Sequence, residues 1–77
     1  MSTIIYKIGS KEFSFNSRIQ LKKIPLIAVE ENVMEEIRLD IQKRPKSYGK
    51  VHDITLLDDN GLIAYAKHTD IGELTKK

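Results

Sequence analysis

Leu26–Lys43, LIAVEENVMEEIRLDIQK, carries apolar residues at helical spacing over its whole length. At about 100° per residue, Leu26, Ile27, Val29, Val33, Met34, Ile37 and Ile41 fall within roughly half the circumference, a wide arc for one buried stripe. Glu31, Asn32, Glu35, Arg38, Gln42 and Lys43 take the other half. Glu30 and Asp40 intrude on the apolar arc or its edge, and Leu39 lies on the polar side. The spacing predicts one helix over 26–43. Pro25 suits the first helical position, where a missing N–H costs nothing. Pro45 disfavours helix in the residue before it. The basic run after Gln42 suits the negative end of the helix dipole, while Glu36 and Asp40, four apart, repel. A competing pattern exists in the same stretch. Ile37, Leu39 and Ile41 also alternate, so Glu35–Gln42 has a strand reading. Asn32 with Glu35 has capping-box spacing that would start a shorter helix at Val33. The single long helix accounts for more apolar positions.

The flanks read as hairpins. Before the helix, Thr3–Ile8 and Glu12–Leu21 are expected as strands. Phe13, Phe15, Ile19 and Leu21 alternate with Ser14, Asn16, Arg18 and Gln20, the pattern of a strand with one wet face. Gly9-Ser10 suits a two-residue turn of type II′, with Gly supplying the positive φ. That turn places Tyr6 opposite Phe13, Ile4 opposite Phe15 and Lys7 opposite Glu12. Apolar then meets apolar and charge meets charge. After the helix, Val51–Leu57 and Leu62–His68 read as the second hairpin, joined by the turn Asp58-Asp59-Asn60-Gly61. Ile54, Leu56, Ile63 and Tyr65 are its expected inward residues. In the tail, Asp70 and Glu73 have capping-box spacing, so Thr69–Lys77 is expected to hold one helical turn, with Ile71 and Leu74 closing an end of the sheet.

The expected fold is therefore α+β: a single two-layer ββαββ domain over residues 1–77. One long amphipathic helix, about 27 Å in length, crosses one face of a four-stranded, mostly antiparallel sheet. The order of elements is similar to that of β-grasp, ubiquitin-like domains. The chain ends Leu-Thr-Lys-Lys rather than Gly-Gly, which argues against a conjugated modifier or sulfur carrier of that class.

Composition narrows the chemistry. At 77 residues with 40% apolar and 31% charged content, the chain suits one small globular domain with a thin core. It has no cysteine, which excludes disulfides, thiolate metal sites and cysteine nucleophiles. No apolar run approaches the roughly 20 residues of a membrane span, and the N-terminus lacks a signal-like pattern. A cytoplasmic protein is expected. The net charge of +2 is mildly basic, short of a chain dominated by phosphate contacts.

Motif chemistry is sparse. His52 and His68 are the available bases. With Leu57 set opposite Leu62, His52 faces Lys67, and the two histidines come near each other with Asp53 or Asp70 close by. Two solvated histidines at a sheet rim explain them better than an acid–base pair or a metal site. The Asp58–Gly61 run lacks the alternating ligands of a calcium loop. Gly9, Gly49, Gly61 and Gly72 are scattered and form no phosphate cradle. Glu30, Glu35, Glu36 and Asp40 are expected to form a solvated acidic helix face. Lys43–Lys50, KRPKSYGK, is the one suggestive stretch. Lys43, Arg44, Lys46 and Lys50 surround Tyr48, a combination able to neutralise phosphates and stack on a base.

The leading expectation is a non-catalytic binding protein (a regulator, inhibitor or adaptor). It would act through protein–protein contact or self-association at a sheet edge or helix face, with no cofactor, metal or membrane. The alternative is a nucleic-acid binder using Lys43, Arg44, Lys46, Tyr48 and Lys50.

Overall fold

The computed structural model describes residues 2–43 and 49–70. They form β1 (Thr3–Ile8), β2 (Lys11–Asn16), α1 (Leu26–Lys43), β3 (Val51–Leu57) and β4 (Ile63–Lys67). The expected α+β architecture is present, one helix on a four-stranded antiparallel sheet. The expected turn in the tail falls on residues 71–77, outside the described residues.

α1 is continuous through Glu35–Gln42, so the strand reading of that stretch fails. Asn32 does not restart the helix; its Nδ2 donates back to the Ala28 carbonyl at 2.7 Å. Burial is narrower than the apolar arc. Val29, Val33, Ile37 and Ile41, each four residues on, form a single buried stripe. Leu26 and Ile27 are 84% and 89% exposed. Leu26 shares the meridian of the stripe, so the first turn of α1 overhangs the layer beneath it. Ile27 is rotated about 100° away.

The sheet order is β2-β1-β3-β4. β2 and β3 both run antiparallel to β1, so they are parallel to each other. α1 thus carries the chain from an edge strand across β1 into the centre of the sheet. The core follows from this crossing. Ile4, Tyr6 and Ile8 of β1 and Val51, Ile54 and Leu56 of β3 pack with the helix stripe and are buried. Phe13 and Phe15 of β2 and Tyr65 of β4, on the edges, are only half-buried.

The first hairpin has the expected register, Tyr6↔Phe13, Ile4↔Phe15 and Lys7↔Glu12. Gly9 turns it at φ 62°. β2, however, ends at Asn16, five residues before the expected limit at Leu21. The cause is Ser17, which falls at an inward position where the alternation needs an apolar side chain. Its N–H still donates to the Ser2 carbonyl at 2.8 Å, one step on in the same register, but its hydroxyl donates to Glu36 on α1. Ile19, Leu21 and Ile24 pack on the core from the connection to the helix.

Two bulges shift the second half of the sheet. Between Ile5 and Lys7 of β1, β3 carries one extra residue, so Asp53 and Ile54 share the place opposite Tyr6. Asp53 adopts φ 52°, the left-handed position usually given to glycine in such a bulge. On β4 the extra residue is Ala64: Leu56 pairs with Tyr65 but Leu57 with Ile63. This corrects the expected Leu57–Leu62 register. It also moves Ile63 from the inner face to the outer face, where it is 67% exposed. His52 lies opposite Lys7, not Lys67.

Candidate functional site

The two edges of the sheet differ. β4 is five residues long, is distorted by the Ala64 bulge, and ends in Lys67. Short length, a bulge and a lysine are the usual means of keeping an edge from pairing. β2 is six residues long, and every residue from Lys11 to Asn16 is regularly paired with β1. It contains no proline. Like β4, it carries charge, in Lys11 and Glu12 at its start.

Beside that edge lies a groove of about 360 Å³. Phe15, Asn16, Arg18 and Ile19 line its β2 side, and Asn32, Glu35, Glu36, Leu39, Asp40 and Lys43 its α1 side. Phe15, Ile19 and Leu39 are its apolar residues, and the rest are polar or charged. Leu39, 48% exposed and on the polar side of the helix, thereby gains a setting.

Of the carboxylates expected on a solvated helix face, Glu30 and Glu35 are exposed, while Glu36 and Asp40 are half-buried and bond across to the sheet side. Glu36 accepts from the Ser17 hydroxyl and, at 2.8 Å, from the Arg18 N–H. Asp40 accepts from the Tyr6 hydroxyl at 2.6 Å, giving the phenol of a fully buried tyrosine a partner. On the other flank of the helix, Glu30 accepts from Tyr65 and Lys67, each at 2.8 Å. Lys67 and then Tyr65 hold the Glu30 carboxyl below its ordinary range. Burial, then Glu30, push the Tyr65 phenol up to about 12. Glu35, between these staples, is exposed on the groove wall. Sequence reasoning missed the staples because each joins residues at least 18 positions apart. Two signals were present: a core tyrosine needing a partner, and Ser17 on an apolar face.

Both histidines turn onto Asp53. Its Oδ2 lies 3.1 Å from His52 Nδ1, and its Oδ1 lies 3.5 Å from His68 Nδ1. Lys7 Nζ is 3.8 Å from the same carboxylate. His52 Nε2 is 2.9 Å from the Gly9 carbonyl, tying the first turn to β3. With an acceptor at each ring nitrogen, His52 favours its charged form, and its pKa is raised, by the Gly9 carbonyl first and then by Asp53. Burial pushes Asp53 up, but His52, His68 and Lys7 together bring it below its ordinary range. Among the described residues, no group of three donors is arranged to hold a metal ion. The left-handed Asp53 is thus steadied by three cationic or protonatable neighbours. The Asp58 run is a turn: Asp58 Oδ1 accepts from the N–H groups of Asn60 and Leu62, each at 2.9 Å.

Of the basic stretch, Lys43 lies at the groove and Lys50 is exposed at the start of β3. Arg44, Lys46 and Tyr48 lie outside the described residues. No helix among the described residues is long and apolar enough to cross a membrane. No family model, curated protein or solved structure matches the chain.

Proposed function

We propose that this chain is a small non-catalytic binding domain that docks a protein partner on its β2–α1 side. The observation that carries the reading is the groove there, which sets Phe15, Ile19 and Leu39 among polar and charged side chains. Apolar side chains of a partner would meet those three, and its polar groups the charged residues around them. The engagement of both ring nitrogens of His52 supports a non-catalytic role, since it leaves no base position open on that ring.

The test is selection from a random-peptide display library, followed by amide shift mapping with the selected peptides. The reading expects selected sequences that perturb the groove residues Phe15, Ile19 and Leu39. Perturbations confined to β4 would overturn it. A ligand displaced steeply and log-linearly by salt, with no β2 response, would favour phosphate contacts through Lys43 and Lys50 instead.

A further inference from the structure

We infer that Asn60 is a site of spontaneous deamidation, and that Asp58, two residues before it, sets the rate. The chain has three asparagines, Asn16, Asn32 and Asn60. At each, the reaction needs the backbone nitrogen of the following residue. That nitrogen gives up its proton and attacks the side-chain carbonyl carbon. A new C–N bond forms, the Cγ–Nδ2 bond breaks, and ammonia leaves with the proton. Solvent water then opens the ring at either carbonyl, giving aspartate or iso-aspartate. The balance is an amide and water in, an acid and ammonia out.

The fold closes this route at two of the three. Asn16 is followed by Ser17, which is 2% exposed and whose N–H is held by the Ser2 carbonyl at 2.8 Å. Asn32 is followed by Val33, fully buried inside α1, where each N–H is tied to the carbonyl four residues back. Asn60 differs. It is exposed in the turn between β3 and β4. Its successor Gly61 sits at φ 79°, and beyond its chain neighbours nothing lies within 4 Å of the place a Cβ would take. Neither a side chain nor a packed neighbour shields the attacking nitrogen. The restraint comes from Asp58. Its carbonyl accepts from the Gly61 N–H at 3.0 Å, so the nitrogen that must react is held. Its Oδ1 accepts from the Asn60 and Leu62 N–H groups, each at 2.9 Å, and its own N–H donates to the Leu62 carbonyl at 2.8 Å. The clasp must open locally before Gly61 can attack. The two side-chain bonds are exposed to water, so the reaction is slowed and not stopped. Conversion sets a third carboxylate in line with Asp58 and Asp59. The iso-aspartyl product also adds a main-chain carbon inside the clasp, which alters the turn that joins β3 to β4.

The test follows the full chain in mildly alkaline buffer by peptide mapping and mass spectrometry, both folded and in urea. A gain of one mass unit is expected at Asn60 before Asn16 or Asn32. In the folded chain it is expected about tenfold more slowly than in urea, the factor that a few water-exposed hydrogen bonds supply. Asp58→Ala removes Oδ1 and is expected to recover most of that factor. Asp58→Asn keeps an oxygen at the same place and is expected to stay close to the parent. Amide hydrogen exchange at Gly61 supplies a readout that needs no variant. Exchange and ring closure both begin with loss of the Gly61 proton. The slowing of exchange on folding is therefore expected to match the slowing of deamidation to within about threefold. If Asp58→Ala fails to fold, the Gly61 comparison decides. First conversion at Asn16 or Asn32, or equal rates folded and in urea, overturns the inference. So does a folded Asp58→Ala chain that reacts no faster than Asp58→Asn, or a Gly61 exchange factor that departs from the deamidation factor.

Discussion

Removing the Glu36 side chain is the perturbation that most sharply separates the stapled helix from a freely solvated one. The carboxylate accepts one hydrogen bond from Ser17, a residue only 2% exposed, and one from the Arg18 N–H. A hydrogen bond to a charged group contributes about 1.5–3 kcal/mol when sheltered and less when water competes. The Ser17 bond is taken at about 1.5 kcal/mol and the exposed Arg18 bond at about 0.5 kcal/mol, so Glu36→Ala costs about 2 kcal/mol. A chain of this length has roughly 4–12 kcal/mol of stability in all, so the loss is substantial. At about 4–8 °C per kcal/mol for a domain of this size, the melting temperature falls by about 8–16 °C. Glu36→Gln keeps an acceptor oxygen and falls in between. Glu35→Ala is the matched control, one residue along the helix and exposed, and is expected within about 0.5 kcal/mol of the parent. Thermal and urea unfolding followed by circular dichroism give both quantities. If Glu36→Ala matches Glu35→Ala to within about 0.5 kcal/mol, the staple adds nothing and the derivation is wrong.

Other expectations follow from the same contacts. Tyr6→Phe removes the donor to Asp40 without changing the core volume and is expected to cost about 1.5 kcal/mol by urea unfolding. Ile37→Ala, in the centre of the buried stripe, costs about 2–5 kcal/mol, whereas Ile27→Lys on the overhanging first turn stays within about 0.5 kcal/mol. The His52 pKa is raised in the folded chain, so its contribution is fully present below the unfolded value of about 6.5 and is lost as pH rises through the folded value. The melting-temperature gap between the parent and His52→Ala is therefore expected to narrow from about pH 5.5 to about pH 8.5. A gap that widens over that range contradicts the placement of His52 between Gly9 and Asp53.

The helix and the first hairpin were legible because their signals are local. Eighteen residues of 3.6-fold periodicity mark α1, and a glycine turn with matched partners sets Tyr6 against Phe13. The end of β2 was not legible, although Ser17 interrupts the alternation, because its hydroxyl is satisfied by a helix residue 19 positions away. The second hairpin misled for a different reason. Asp53 and Ala64 each add one residue, and period-two reasoning has no way to register an insertion that flips every later side chain. A register without those insertions points Ile63 inward and sets His52 beside Lys67. Strand order, and with it the identity of the two edges, depends on long-range pairing that no local pattern encodes. The groove beside β2 was invisible for the same reason: its walls come from residues 15–19 and 32–43.

The most direct measurement is a series of amide chemical-shift maps recorded as a display-selected peptide is titrated in. Docking on the β2–α1 side predicts progressive, saturating shifts at Phe15, Ile19 and Leu39, while Ile63–Lys67 stays still. Shifts concentrated on Ile63–Lys67, or spectra that respond to no selected peptide, would contradict the account.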